Sequence, residues 1–483
     1  MTPRLYKTVL VLAAALLLAA GGQLQNSLDR ERVRLGLTPL PNDPAMPPLL
    51  ALTTQALGGF RGLIANALWI RGNDLQLEGK YFEMVQLAHW ISLLQPHFVQ
   101  VWIVQAWNMG YNISVAFSDY GDRWRWVRHA IELLRDEALR YNPDEALIYR
   151  ELAWHFQHKM GMNLDDAHFY YKRAWAAEMT RLFTTNAPFK FDGHPNFEEL
   201  INPQTDEARA RAAKLRDEYK MDARKMKEVD DHYGPLDWRL PEAHAIYWAW
   251  LGLAKSKPAD LITLRRVIYQ SMKYSVDRGR LTVAANGQIY LGPNLDNLTN
   301  ANAAYEEMFG LEEVPPQRDG IKTAHRNFLK EVPYQLYINN RIADAQDWLK
   351  TLRTKYPDAI PADLSLTDYA LRRAMEKMGD GTQVQVAAFI EALVLQSYRC
   401  LVEDDDDQAA QYMQRAQEMH LAYDRKPKGA ERLRITPLDE MKKEVLYQLL
   451  EPKSGLAPEV RDHLRKRLGL PAEATPAPPN AKN

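Results

Sequence analysis

Three histidines and two aspartates lie within the stretch WHFQHKMGMNLDDAHFYYKRAW, residues 154–175. If the chain folds back on itself there as two helices, His158, Asp165 and His168 would converge, and two imidazoles with a carboxylate form a metal-ligand set. The zinc-protease pattern H-E-x-x-H is absent, and Asp165 and Asp166 stand where a helix cap and a first-turn charge are expected. We therefore predict two packed helices with structural hydrogen bonds and no bound metal. A metal site at His158, Asp165 and His168 is the alternative.

Acid–base chemistry is a second possibility. The stretch DWRLPEAHAIYWAWLG brings Asp237, Glu242 and His244 close together along the chain, as the residues of a catalytic cleft could be. A helix that begins at Pro241 explains the same residues, with Glu242 as its first-turn charge. The chain has no phosphate-binding G-x-x-x-x-G-K-[ST] loop and no G-x-S-x-G nucleophile elbow. We predict that the protein is not an enzyme and has no cofactor.

The charge balance and the cysteine content narrow the functional classes further. The chain has 61 lysines and arginines against 62 aspartates and glutamates, for a net charge of −1. A nucleic-acid-binding protein needs a basic face to meet phosphates, so we expect no nucleic-acid partner. The single cysteine, Cys400, excludes an intramolecular disulfide, and its apolar surroundings indicate a core position.

The N-terminus has the composition of an export signal. The basic segment MTPRLYK precedes an uncharged apolar run from Thr8 to Gly22, and polar residues follow. Arg4 and Lys7 would hold the N-terminus in the cytoplasm and place the rest of the chain outside it. We predict that residues 1–24 are a signal or membrane anchor, so that the protein spans the cell membrane once and its bulk is periplasmic. Cleavage of this segment is the alternative.

Helical periodicity dominates the rest of the chain, with Gly and Pro between the apolar runs. Strand alternation occurs at one place, GRLTVAANGQIYLGP, where Asn286-Gly287 marks a hairpin turn. The highly charged stretch 203–232 is typical of solvated helices that project from the body. The predicted segments are a signal or anchor at 1–24, a Pro-rich linker at 25–50, N-terminal helical repeats at 51–180, a helical region with the charged arm and the β-hairpin at 181–320, C-terminal helical repeats at 321–465 and a disordered tail at 466–483.

An interval of 47 residues recurs in the first half of the chain. A proline is followed six residues later by a large ring, then by a small residue and a tryptophan. The proline opens a helix, the ring fills a groove, and the small residue lets a partner helix approach. The positions related by the interval are Pro96 and Pro143, Trp102 and Tyr149, Ala106 and Ala153, and Trp107 and Trp154. Pro241 precedes Tyr247 by the same six residues.

These patterns resemble the tetratricopeptide repeat (TPR) family, whose unit is two antiparallel helices with W-x2-L-G-x2-Y, then A-x3-F, then P. W-x2-L-G at residues 248–252 matches the first helix, and A-x3-L at 345–349 and A-x3-M at 409–413 are similar to the second. The interval of 47 exceeds the usual repeat, and Gln105 stands where leucine is expected. The N-terminal signal with the FRGLIANALW text also resembles exported, membrane-anchored TPR-type proteins of bacteria. The resemblance implies an all-α fold, a TPR-like α-solenoid of antiparallel helix pairs with a small β-hairpin insertion.

The resemblance also implies a binding function, because TPR-like repeats stack into a superhelix whose groove holds a peptide or helix of another protein. We therefore expect a membrane-anchored extracytoplasmic scaffold whose partner is another protein or peptide. The candidate groove residues are Trp102, Trp107, Trp124, Arg125, Trp126, Trp154 and Tyr171. Two alternatives stay open: a periplasmic enzyme or ligand-binding protein that uses the neighbourhood of His158 or His244, and a structural protein that spaces other components from the membrane.

Overall fold

The computed structural model describes residues 61–184, 191–255, 261–283, 289–377, 383–424, 435–451 and 456–471, together with single residues between 16 and 35. The structure is 77% helix and 2% strand, which confirms the all-α fold class. Most of the predicted signal or anchor, most of the linker and most of the tail lie outside the described residues. Within the described part of the chain, no helix is both long enough and apolar enough to cross a membrane.

The chain divides into two compact units, residues 1–317 and 318–483. Among the described residues, the strands and the α-helices longer than one turn in the first unit are α1 (Arg61–Leu77), α2 (Tyr81–Leu94), α3 (Val99–Trp107), α4 (Tyr120–Glu132), α5 (Ala146–Trp154), α6 (His168–Phe183), α7 (Phe197–Ile201), α8 (Asp206–Asp217), α9 (Ala223–Tyr233), α10 (Pro241–Leu253), α11 (Leu261–Arg278), β1 (Arg280–Val283), β2 (Ile289–Gly292) and α12 (Leu298–Leu311). Helices that follow one another pack together, as α1 does with α2 and α10 with α11, and α10 also packs against α5. The core of this unit is therefore helix packed on helix.

The second unit is built from helices as well. They are α13 (Pro315–Ile338), α14 (Ile342–Lys355), α15 (Leu366–Lys377), α16 (Gln383–Val402), α17 (Asp406–Asp424), α18 (Leu438–Leu450) and α19 (Pro458–Arg467). Within this unit α16 packs against α17, α18 and α19. The small and apolar positions of the predicted second helices, Ala345, Leu349 and Ala409, are buried, and so is Cys400.

The 47-residue interval of the sequence is also an interval of the structure. α3 and α5 are each nine residues long, and each continues into a six-residue π-helical segment, Asn108–Ile113 after α3 and His155–Met160 after α5. The boundaries of both helices and both π-helical segments differ by 47 in residue number. The two stretches are therefore copies of one local structure as well as of one sequence pattern.

The proline and the ring of each copy are joined by the same hydrogen bond. The indole N–H of Trp102 donates to the carbonyl oxygen of Pro96 at 2.9 Å, and the hydroxyl of Tyr149 donates to the carbonyl oxygen of Pro143 at 2.9 Å. Both rings are buried, so each bond satisfies a polar group that burial would otherwise leave unpaired. The ring at the third position of the pattern, Tyr247, differs, because its hydroxyl accepts the backbone N–H that precedes α9.

The predicted β-hairpin is present and is anchored to the helices. β1 and β2 pair antiparallel, with Leu281 opposite Leu291. Leu281 and Ile289 pack in one apolar cluster with Ala176 on α6. The predicted turn at Asn286-Gly287 lies outside the described residues.

The charged stretch 203–232 forms α8 and α9, and both helices pack on the body of the first unit. Met226 and Val229 on α9 are fully buried. Arg211 on α8 donates a hydrogen bond to the carbonyl oxygen of Phe183 at 3.1 Å. The expectation of a projecting arm is therefore wrong, because the few apolar residues at helical spacing make one buried face beneath the charges.

Candidate functional site

Asp165 is the centre of a buried hydrogen-bond network between the π-helical extension of α5 and the start of α6. Its carboxylate accepts a hydrogen bond from the Lys159 ammonium at 2.5 Å and one from the Tyr171 hydroxyl at 3.0 Å. It also accepts the backbone N–H of Ala167 at 2.9 Å and forms an ion pair with Arg123 at 3.1 Å. Burial alone would raise the pKa of Asp165, but the hydrogen bond from Lys159 and the other donors lower it to about 2. The carboxylate is therefore ionised at neutral pH and held by several donors.

His155 and His158 belong to the same packing arrangement. His155 is fully buried, and its Nδ1 lies 2.9 Å from the carbonyl oxygen of Glu151. The ring of His158 stacks on Trp154 with centroids 4.4 Å apart, and its Nδ1 lies 3.1 Å from the Tyr111 hydroxyl. Burial lowers the pKa of both imidazoles, so both rings are neutral at neutral pH.

His168 is the third residue of the metal site that the sequence offered as an alternative. Its Nδ1 lies 2.9 Å from Nζ of Lys172, whereas Asp165 bonds to Lys159 and His158 lies against Tyr111. Among the residues that the structure describes, no group of three or more His, Cys, Asp or Glu side chains is placed to hold a metal ion. Residues 154–175 therefore form two packed helical segments that are joined by a network of charged side chains.

His244, the other histidine of the enzyme alternative, is a core residue. Its fully buried ring stacks on Phe156 with centroids 5.3 Å apart and meets Trp175 edge-on at 4.9 Å. Its Nε2 lies 2.9 Å from the carbonyl oxygen of Trp238, and burial lowers its pKa to about 4. Glu242 is likewise buried and ion-paired. The imidazole and the carboxylate are thus packed inside the helices and are not accessible to a substrate from solvent.

Three of the predicted groove residues are core residues. Trp102 and Tyr171 are 0% exposed, and Trp124 is 7% exposed. Trp124 stacks on Tyr171 with ring centroids 6.0 Å apart. These rings fill the space between helices, so the expectation that they line a binding groove is wrong for them.

The other four predicted groove residues reach the surface. Trp107 is exposed and stacks on Tyr111 at 5.4 Å between centroids, and Trp154 is half-buried. Arg125 is exposed and forms an ion pair with an aspartate one turn earlier at 2.7 Å. Trp126 is half-buried and is the only one of the seven that lines the groove described next.

We name this feature the α2–α4 groove, because it lies between α2 and α4 with α3 contributing to its lining. Its volume is about 600 Å³, a size that receives a small ligand or several side chains of a peptide. The lining residues are Phe82, Val85, Gln86, His89, Gln105, Met109, Trp126, His129, Glu132, Leu133, Asp136 and Glu137.

One side of the α2–α4 groove is apolar and aromatic. Met109 and Leu133 are buried, whereas Phe82 is 56% exposed. The ring of Phe82 meets Trp126 edge-on with centroids 5.5 Å apart, and Phe117 stacks on Trp126 at 6.4 Å. These ring contacts hold Trp126 in place and leave an aromatic edge in contact with solvent.

The other side of the α2–α4 groove is acidic. Glu132, Asp136 and Glu137 line it, and no lysine or arginine is among its described lining residues. A hydrogen bond with His129 lowers the pKa of Glu132, burial opposes this effect, and Arg128 lowers the pKa further. Just outside the lining, Arg128 forms an ion pair with Glu132 at 2.8 Å and Arg135 forms one with Asp136 at 2.6 Å. The negative charge that these carboxylates bring to the groove is therefore partly balanced.

Gln105 gives the α2–α4 groove a buried hydrogen-bond acceptor. It is 2% exposed, it lines the groove, and its side-chain oxygen has no hydrogen-bond partner among the described residues. A buried acceptor without a partner costs about 1–3 kcal/mol, so an N–H group brought by a bound molecule would be stabilised there. In the sequence Gln105 stands out as the departure from the leucine of the TPR pattern, and that departure is the available signal for this site. Phe82 and Glu132 carry no comparable signal.

No protein-family model matches the chain, and no curated protein matches it.

Proposed function

We propose that the protein is a membrane-anchored, extracytoplasmic scaffold of TPR-like helical repeats that binds a segment of another protein in the α2–α4 groove. The observation that carries the proposal is the combination in one groove of an exposed aromatic edge, an acidic side and an unpaired buried acceptor at Gln105. The segment that fits this combination is a basic amphipathic one. Its apolar side chains contact Phe82 and Trp126, and its lysines or arginines meet the acidic side.

The aromatic edge supplies the apolar part of the binding energy. A phenylalanine ring that is 56% exposed in a groove leaves apolar surface in contact with water, which a partner can cover. Truncation of an aromatic anchor of this kind typically costs about 2–4 kcal/mol of binding energy. Since Trp126 is already held by Phe117, little side-chain entropy is lost when the partner binds.

The acidic side selects among apolar segments. Although Arg128 and Arg135 balance part of their charge, the carboxylates that line the groove favour a basic segment over an acidic one. Because these carboxylates are only partly buried, dissolved salt screens their attraction. We therefore expect the affinity to fall as the ionic strength rises.

The TPR-like and membrane parts of the proposal are supported by other features. The two copies of one local structure, 47 residues apart, support repeats that stack as an α-solenoid. The basic N-terminal segment and the apolar run at residues 8–22 support one membrane anchor with the rest of the chain in the periplasm.

The test begins with the full-length protein in detergent, used to capture partners from its own cell envelope. The segment of the captured protein that binds is then synthesised as a peptide, and its affinity is measured by fluorescence anisotropy. The variants are Phe82→Ala and Glu132→Gln, and Tyr447→Ala is the matched control, because Tyr447 is a 65% exposed ring in the second unit.

We expect Phe82→Ala to weaken binding by about 30-fold or more. Glu132→Gln should weaken it less, by a factor that shrinks in high salt, and Tyr447→Ala should have no effect. A peptide that is acidic, or that binds both groove variants as tightly as the wild type, would contradict the proposal.

A further inference from the structure

A second cavity of about 670 Å³ lies in the first unit, between α6, the end of α11 and the hairpin strand β2. We name it the hairpin cavity. Its size falls within the range of small-molecule sites. The lining residues are Asn163, His168, Phe169, Lys172, Arg173, Arg278, Ile289, Tyr290 and Leu291.

One wall of the hairpin cavity is cationic. Lys172, Arg173 and Arg278 line it, and no carboxylate is among its described lining residues. The guanidinium of Arg278 forms an ion pair with Glu242 at 2.8 Å, just outside the lining. One carboxylate therefore balances only part of the charge of three cationic side chains.

Lys172 is the most unusual of the three cations. Its side chain is 1% exposed, its ammonium donates to Oδ1 of Asn163 at 3.2 Å, and its Nζ lies 2.9 Å from Nδ1 of His168. No described carboxylate oxygen lies within 4.0 Å of its Nζ, whereas the other buried lysine of this region, Lys159, has Asp165 at 2.5 Å. Burying an ammonium without a counter-ion is costly.

The pKa of Lys172 also reflects the lack of a counter-ion. Burial lowers its pKa to about 8, Glu242 opposes this effect, and the charge of Arg278 adds to it. The ammonium is therefore still mainly protonated at neutral pH. An anion in the cavity would supply the missing counter-charge.

The opposite wall of the hairpin cavity is apolar and aromatic. Phe169 is 41% exposed and Tyr290 is 56% exposed, whereas Ile289 is buried and Leu291 is half-buried. A bare inorganic anion would leave this wall in contact with water. An organic anion with an aromatic or aliphatic body would cover it.

We propose that the hairpin cavity is a binding site for a small organic anion, whose carboxylate or phosphate group meets Lys172 and Arg173 and whose apolar body packs on Phe169. This site is separate from the α2–α4 groove and does not depend on the function proposed for that groove. The shared chemistry of its ligands is an oxyanion joined to a ring or chain.

Isothermal titration calorimetry of the full-length protein tests the site with four probes. 1-Naphthoate and 1-naphthyl phosphate combine an oxyanion with rings, 1-naphthamide keeps the rings without the charge, and inorganic phosphate keeps the charge without the rings. We expect one saturable site for each of the two aromatic anions and much weaker binding of the other two probes.

The variants assign that binding to the cavity. Lys172→Met and Arg173→Gln should each weaken naphthoate binding by about tenfold, as expected for loss of a charged hydrogen-bond donor. Arg173 is exposed, so its replacement leaves the fold intact even if Lys172→Met does not fold. Lys214→Met is the matched control, because Lys214 is an exposed lysine on α8 outside the cavity, and it should bind like the wild type.

Three results would overturn the proposal. The first is no saturable binding of either aromatic anion to the wild type. The second is equal naphthoate affinity of the wild type and Arg173→Gln. The third is equal affinity for naphthoate and naphthamide, which would show that the charge of the ligand is not recognised.

Discussion

Replacing Asp165 with asparagine should strongly destabilise the first unit. The side chains of Lys159 and Asp165 are only 3% and 6% exposed, and their ion-pairing atoms lie 2.5 Å apart. Asparagine keeps the shape of the side chain and can still accept the N–H of Ala167. It leaves the Lys159 ammonium buried without its counter-ion, because Arg123 and Tyr171 are donors as well.

The size of the expected loss in unfolding free energy follows from the burial of this ion pair. Removing one partner of a buried ion pair costs about 3–5 kcal/mol of unfolding free energy. The pKa of Asp165 is lowered in the folded state, from 3.8 to about 2. The contribution of its charge is therefore complete above about pH 3.8 and is lost as the pH falls towards 2. The difference between the wild type and Asp165→Asn should narrow over the same interval.

Asp166→Asn is the matched control. Asp166 is the next residue, it pairs with the same Arg123, and its side chain is 66% exposed, so its loss should cost no more than about 1 kcal/mol. Urea unfolding followed by tryptophan fluorescence compares the two variants. It reports on the first unit, because every tryptophan except Trp348 lies in residues 1–317. Equal losses for the two variants would refute the reasoning.

Three further changes test the packing, the repeat and the hairpin cavity. Gly252→Ala should cost about 1–3 kcal/mol in urea unfolding, since the new Cβ would lie 2.7 Å from Cβ of Tyr149. Its control Gly310→Ala, with nothing within 4 Å of the new Cβ, should be neutral or stabilising by up to about 1 kcal/mol, and similar losses for both would contradict the packing. Tyr149→Phe deletes the hydrogen bond to the proline carbonyl and should cost about 1 kcal/mol in the same assay, and an unchanged midpoint would count against the bond. The unfolding free energy of the wild type relative to that of Lys172→Met should rise between about pH 8 and 10.5. In this range the unfolded chain still binds a proton at Lys172 that the folded chain has released. A difference in unfolding free energy that does not change with pH would contradict this.

Helix starts and the hairpin can be predicted from the sequence, because short-range residue patterns specify them. The 47-residue copies follow from a proline, a ring and a small residue at fixed spacing, which specify a helix start and one packed face. The hairpin follows from strand alternation on both sides of a turn signal, and the antiparallel pairing of β1 with β2 confirms the hairpin. For residues 154–175 the sequence alone offers two interpretations, a metal site and two packed helices, since aspartates at a helix start also serve as caps.

The assignment of rings to the core or to the surface is not readable in this way. Spacing shows that Trp102, Trp107 and Trp126 lie on helices, but burial depends on which neighbouring helix covers each face. The π-helical segments add to this difficulty. A π-helical turn contains more residues than an α-helical turn, so the residues after it point in directions that a 3.6-residue period does not predict. The groove residues Phe82 and Glu132 come from different helices, and only the tertiary fold brings them together.

Site-specific photo-crosslinking tests the central claim, that the α2–α4 groove holds a basic segment of another protein, most directly. A photoreactive amino acid replaces Val85 in the full-length protein in its own cells, and in a matched control it replaces the exposed Tyr447. We expect one crosslinked protein from position 85 only, with the adduct mapped by mass spectrometry to a basic amphipathic segment and lost in Phe82→Ala. Crosslinks to an acidic segment, the same products from both positions, or no adduct from position 85 would contradict the claim.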